Sequence, residues 1–328
     1  MRGGGDGGRH RRHEGVEGGD GLRAGGPLLP RPRADGALRR DAGRRSKRAG
    51  LPPCGRPQGE AGAASVIRST LHNHTTLCDG RSTPEAMVRA AVAAGFSDLG
   101  FSAHSPAPFD AGSLRSEAAY RETLLALRQK YAGVIRIAIG MEQDFLAPVA
   151  RRADYDFLIG SVHFLRVDGA HHAVDWDKER FGALLQAVGG PLAAVRAYYA
   201  SVVDMVRTQR PDVVGHFDLI VKFNAEGRFF EEDAAYRRIA LEALDAVIES
   251  GCVPELNASG FRWRGRPNPD GFLLRRLREK NRLLTLQADC HDAGDLLRFL
   301  PEGAEALRQA GFRSALQWIG GAWQEVGL

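Results

Sequence analysis

Cysteine is scarce in this chain: Cys54, Cys78, Cys252 and Cys290 are the only four in 328 residues, and no two stand in C-x-x-C spacing. That excludes a disulfide framework as the basis of the fold and favours a reducing compartment, here the cytoplasm. No run of about 18 apolar residues occurs, so no transmembrane helix is expected. The basic start is followed by no apolar block of the kind a secretory signal needs, which leaves the "NAS" sequon at Asn257 to Ser259 as an ordinary strand end. Phosphate-cradling glycine loops are missing too. Neither G-x-x-x-x-G-K nor a strand-coupled G-x-G-x-x-G is present, and the nucleotide-binding doubly wound folds lose weight accordingly.

Charge is unevenly distributed. Residues 1–64 hold 14 Lys/Arg against 7 Asp/Glu, and the remaining residues hold 31 against 33, so the formal net charge of +5 comes from the head alone. A basic pI therefore says little about the rest of the molecule, and nucleic acid is disfavoured as a partner. The head is rich in Gly, Arg and Pro without apolar periodicity, and residues 1–64 are expected to be a disordered tail in which His10 and His13 carry no chemistry. Residues 65–328 are long enough to bury a substantial core as one domain.

Within that body, short apolar runs alternate with amphipathic helical stretches, the pattern of a parallel β/α architecture. Seven runs read as strands: "SVIRSTLHNH", "SDLGFSAH", "IRIAIGMEQDF", "DFLIGSVHF", "DVVGHFDLI", "CVPELNAS" and "LLTLQADCH". Helical stretches lie between them, among them "TPEAMVRAAVAAG", with Thr83 as N-cap, Pro84 at the first position and Gly95 at the end. Seven such units suggest a closed barrel over an open sheet. The C-terminal "FRSALQWIGGAWQEV" reads as two short strands trimming the fold.

The polar residues that end the strands carry the functional signal. The first run ends in His72 and His74, with Asp79 in the next loop; the second ends in His104, the third in Glu142, the fourth in His163. The fifth carries His216, the sixth Asn257, and the seventh Asp289 and His291. In a parallel barrel these ends open on one rim, where active sites are built. Residues i and i+2 of a strand share a side, so His72 with His74, and Asp289 with His291, can face one centre. Nine ionisable donors at matching ends are costly to bury unless a metal pairs them. The set has nitrogen and oxygen donors but no thiolate. It suits divalent Zn, Mn or Fe, and is too large for one ion; three ions would leave open positions for water and substrate. The charge left over calls for an anion, which points to a small phosphate ester, with Glu142 as the bridging group. Cys290 is expected to pack away from the ligands, and Cys78 need not join them.

These residues in this order resemble the PHP superfamily of metal-dependent phosphoesterases, most closely its histidinol-phosphate phosphatase branch. The matching segments are "LHNHTTLCDGRSTPEAMVRAAVAAGFSDLGFSAHSP", "GMEQDF", "DFLIGSVHFL", "GHFDLIVKF", "ELNASGFR" and "LQADCHD". The resemblance implies a distorted (β/α)7 barrel with three divalent metal ions held by His72, His74, Asp79, His104, Glu142, His163, His216, Asp289 and His291. Glu142, Asp289 and His291 are the residues given a catalytic role. It implies hydrolysis of L-histidinol phosphate to L-histidinol and phosphate in histidine biosynthesis, with Arg262 and Lys222 as phosphate contacts. Two departures alter the surroundings of the ligands: Ala103 in "GFSAH" and Ala288 in "ADCH" replace residues common among relatives. The loop "RVDGAHHAVDWDKERF", with His171 and His172, is where the organic leaving group would be recognised. Two other readings compete: another small phosphate ester as substrate, and a nucleic-acid-binding protein with a vestigial metal site.

Overall fold

The structure, a computed structural model, describes residues 67–328. The tail expected over residues 1–64, with His10, His13 and Cys54, lies outside the described residues. The first strand, β1 (Ser69–Thr70), leads through α1 (Pro84–Ala93) to β2 (Asp98–Phe101), and α2 (Glu117–Lys130) leads to β3 (Arg136–Asp144) and β4 (Phe157–Ser161). An inserted pair, β5 (Phe164–Val167) and β6 (Ala170–Ala173), precedes α3 (Lys178–Ala187), α4 (Pro191–Thr208) and β7 (Val213–Val214). Then come α5 (Ala234–Ser250), β8 (Val253–Asn257), α6 (Gly260–Arg264), α7 (Gly271–Glu279) and β9 (Thr285–Gln287). The chain ends with α8 (Leu300–Gln309), β10 (Ser314–Ile319) and β11 (Ala322–Gly327).

Local chemistry explains the element boundaries. Thr83 accepts a hydrogen bond from the Ala86 N–H at the start of α1, with Pro84 supplying a first residue that needs no partner for its missing N–H. Asp233 caps α5 through the N–H groups of Ala235 and Tyr236, and Gly251 ends it in the left-handed conformation (φ 81°) that a residue with a Cβ resists. The long apolar face of α4, running from Ala194 to Val206, buries Tyr198, Tyr199, Val202 and Met205. Strands β4 and β8 are buried along their whole length, as befits parallel strands covered on both faces.

The seven expected strands are β1, β2, β3, β4, β7, β8 and β9, and they pair in parallel in that order. At their C-terminal ends the run returns on itself. A parallel bridge joins Asn73 to Cys290; the His74 N–H donates to the Cys290 carbonyl at 2.8 Å, and the Cys290 N–H to the His72 carbonyl at 3.2 Å. Below that bridge β1 and β9 do not pair directly. The Gln287 side chain spans the gap, its Oε1 accepting from the Leu71 N–H at 2.5 Å and from Thr70 Oγ1 at 3.1 Å.

Strand β10 lies beside β9 in parallel, and the Arg68 N–H reaches Gln317 Oε1 at 2.8 Å. The C-terminal segment is thus part of the main sheet instead of a trim, because its first half is apolar enough to be buried. The stretch expected as a loop also differs. It forms the antiparallel β5–β6 hairpin followed by α3, and its turn residues Asp168 and Gly169 both have positive φ (48° and 84°), the geometry that Asp-Gly supplies. His171 and His172 therefore belong to β6.

Candidate metal centre

Each ligand candidate occupies the C-terminal end of its strand or the segment just after it, and the pairing of neighbouring strands brings them together. Glu142 lies at the middle. Its Oε2 is 3.2 Å from His72 Nε2, 3.3 Å from His74 Nε2 and 3.1 Å from His104 Nδ1. Its Oε1 is 2.8 Å from His216 Nε2 and 3.2 Å from His163 Nε2. Asp289 Oδ1 approaches His72 Nε2 and His74 Nε2 at 3.5 and 3.4 Å. Asp79 faces His74, His104 and His291 at 3.4, 3.5 and 3.2 Å. All nine sequence-expected residues converge on one rim.

Backbone geometry enforces this. Gly80 is pressed so close to the chain at His74 and Thr75 that a Cβ there would lie 2.4 Å from the Thr75 nitrogen. Asp289 adopts a left-handed conformation (φ 47°), which an aspartate tolerates better than most side chains and which turns the chain between β9 and His291.

The electrostatics are those of a largely buried pocket crowded with charge. Burial works against the charged form of every group, but the opposing charges outweigh it: Glu255, Glu142 and Asp289 hold the His72 imidazole well above its ordinary pKa. Likewise His72, His163 and His104 hold Glu142 well below the usual carboxylate range despite its burial. Asp289 is depressed in the same way by His72, His74 and His291. The carboxylates stay ionised despite their burial, and such a pocket calls for cations.

Hydrogen bonding alone does not satisfy the cluster. His72 Nε2, His74 Nε2, Glu142 Oε2 and His216 Nδ1 are buried without a hydrogen-bond partner, although Glu142 Oε2 lies 3.2 Å from His72 Nε2 and 3.3 Å from His74 Nε2. Donor atoms that touch without aligning are what a ligand set looks like when its geometry is set for an ion at the focus. Four groups qualify, each with donor atoms within 4.8 Å of one another: His74, Asp79, His104 and His291; His72, Glu142 and His216; His72, His74 and Asp289; His104, Glu142 and His163. The donor set fits a divalent metal centre.

Several functional neighbours escaped sequence reasoning. Glu255, fully buried in β8, accepts at Oε1 from His72 Nδ1 (2.6 Å) and at Oε2 from the His216 N–H (2.7 Å). Ser161 Oγ donates to Glu142 Oε1 at 2.7 Å, and Asp144 receives the His163 N–H at 2.8 Å. Asn257 Nδ2 and Ser259 Oγ both donate to Asp289 Oδ2 at 3.1 Å. A glutamate inside the apolar run "CVPELNAS", two residues before Asn257 and so on its side of the strand, was the available signal for Glu255. The bond it makes fixes the tautomer and angle of His72, so Glu255→Gln is expected to weaken metal binding about 10- to 100-fold. Metal titration of the variant checks this, and an unchanged affinity would show the contact to be idle.

Of the two cysteines beside the ligands, Cys290 is buried, donates its thiol to the Asp292 carbonyl at 2.9 Å, and is pushed up by burial to a pKa of about 11. Cys78 Sγ lies 3.6 Å from His74 Nδ1; burial opposes its ionisation, but that imidazole holds the thiol below its usual value.

The centre opens into a cavity of about 340 Å³ whose wall includes His291 and Asp289 together with Arg81, Lys222, Arg262 and Arg298. Both sequence-expected phosphate contacts are therefore on this wall. Lys222 Nζ is tethered to Asp175 (2.9 Å to the carbonyl, 3.1 Å to Oδ2), and Arg262 to Asp295 Oδ2 at 2.8 Å.

The chain is similar to known proteins. The PHP domain model matches residues 70–259. The "Probable histidinol-phosphatase" of Deinococcus radiodurans is 30% identical over 262 residues, covering 74% of this chain and 94% of that protein. The histidinol-phosphatase of Bacillus subtilis is 28% identical over 252 residues, covering 69% and 94%. A crystal structure of histidinol phosphate phosphatase from Lactococcus lactis, complexed with zinc, L-histidinol and phosphate, has the same fold, with a TM-score of 0.59 at 19% identity over 78% of this chain and 98% of that one. Because the family match spans more than half the sequence and begins at the strand that delivers His72 and His74, the chain belongs to the PHP domain family.

Proposed function

We propose that residues 65–328 form a histidinol-phosphate phosphatase that hydrolyses L-histidinol phosphate to L-histidinol and phosphate, a phosphoric monoester hydrolase of histidine biosynthesis acting in the cytoplasm. The relatives named above support the substrate. Among the described residues no helix is long and apolar enough to cross a membrane, which suits a small diffusible substrate. The observation that carries the reading is Glu142, one carboxylate within 3.3 Å of five imidazoles, beside a cavity with four basic side chains on its wall.

In this reading His72, His74, Asp79, His104, Glu142, His163, His216, Asp289 and His291 hold three divalent ions, of zinc, manganese or iron. Bound there, the ions supply Lewis acidity toward phosphoryl oxygens and make water acidic enough to react near neutral pH. The rest falls to the protein's own side chains. Glu142 spaces the imidazoles on its two oxygens. Asp289, held at Oδ2 by Asn257 and Ser259, and His291, about one-third exposed, line the cavity together with Asp79, His104, Glu142, His163 and His216, and they are the pair to which this reading gives the proton. Arg262 and Lys222 grip the phosphate, the guanidinium offering a fork and the ammonium a point charge.

Arg262→Ala and Lys222→Ala are expected to raise KM for histidinol phosphate on the order of tenfold each, the loss of one charge-assisted contact of about 1.5–3 kcal/mol, partly relieved by solvent at the open wall. Steady-state kinetics measure it, and a KM equal to wild type in both variants would remove them from the phosphate site. The function itself is tested by metal analysis coupled to phosphate release. The reading fails if kcat/KM for histidinol phosphate is no higher than for a generic aryl phosphate after metal reconstitution.

A further inference from the structure

The cavity wall is mostly polar. Its large apolar side chains are Leu219, Trp263 and Phe299. Leu219 is buried, and Phe299 packs on Phe261 with centroids 5.8 Å apart and planes 28° apart, whereas Trp263 on α6 remains 50% exposed. The indole is nevertheless tied in place. Lys222 Nζ lies 5.0 Å from its ring centroid, and Phe223 meets it edge-on at 6.5 Å. It therefore lines the same cavity as the two candidate phosphate contacts, beside Lys222 in space and next to Arg262 in sequence.

A fixed aromatic ring left half uncovered at a cavity mouth presents apolar, electron-rich area that a ligand can cover. Lys222 and Phe223 account for part of its surface, and about half of the side chain is left open to solvent on a residue that lines the cavity. An ester whose phosphate is engaged by Lys222 and Arg262 must place its organic part within a short carbon chain's reach of that ring. Histidinol provides a flat imidazole, neutral or cationic near neutral pH, and either form is attracted to an indole face. We propose that Trp263 is a specificity-determining residue, its open face stacking on the imidazole of the leaving group. The inference rests on the substrate reading above.

Two measurements on the metal-loaded enzyme test it. The first is the ratio of kcat/KM for histidinol phosphate to that for glycerol phosphate, an aliphatic ester without a ring. Trp263→Ala lowers this ratio about tenfold or more, chiefly through KM, while Trp263→Phe, which keeps a flat ring, retains most of it. The second is intrinsic tryptophan fluorescence during titration with L-histidinol, which changes in the wild type and not in Trp263→Phe. A wild-type preference that survives Trp263→Ala unchanged, or an equal fluorescence response in Trp263→Phe, overturns the inference alone. A wild-type enzyme without preference for histidinol phosphate overturns the substrate reading and this inference with it.

Discussion

Glu142→Ala is expected to abolish turnover while the protein still folds. The carboxylate occupies the focus of five imidazoles, with Oε2 toward His72, His74 and His104 and Oε1 toward His163 and His216. Without it the imidazoles lose the carboxylate whose two oxygens reach all five of them. Metal-centred stabilisation of a phosphoryl transition state is worth several kcal/mol, so the rate should fall on the order of 10³-fold or more. Folding should survive because Glu142 contributes to the rim, whereas the apolar residues of β3 such as Ile137, Ile139 and Met141 supply the core. Glu142→Gln separates charge from shape: it keeps Ser161 within bonding reach but removes the anion, and should lose nearly as much activity as alanine. Phosphate release and far-ultraviolet circular dichroism check both. Turnover within tenfold of wild type in either variant, with the fold intact, would remove Glu142 from the centre.

Chelating the metal is expected to cost both activity and stability. The cluster buries Glu142, Glu255 and Asp144 and half-buries Asp289, and cations bound only in the native state stabilise that state by mass action. At a metal concentration about 1,000 times the dissociation constant the stabilisation is about 4 kcal/mol, which lowers Tm on the order of 10 °C when the ion is withdrawn. Zinc or manganese added back should restore activity and Tm together. Differential scanning calorimetry beside a phosphate assay reads both. Loss of activity with an unmoved Tm would mean that the ions do not sit among the buried carboxylates.

The resemblance carried by "LHNHTTLCDG", "GMEQDF" and "LQADCH" was legible because ligand chemistry is local: the residue types and the i, i+2 spacing are printed in the chain itself. The same holds for the seven parallel strands, since each is a short apolar run in the chain itself. What could not be read were contacts set by residues far apart in sequence. Glu255 looks like any strand residue until strand pairing puts it 2.6 Å from His72, 183 residues away.

Tertiary structure also decided how the ring of strands meets. A single bridge at Asn73 and Cys290 joins its ends at the mouth, and Gln287 and the inserted β10 occupy the space below. Sequence determined which atoms are available to bind a metal, because donor chemistry belongs to individual side chains. Only the fold decided that these atoms share one focus, that Trp263 stands beside Lys222, and that the hairpin of His171 and His172 is a hairpin, because proximity across a sheet depends on register and burial between strands that the order of residues does not state.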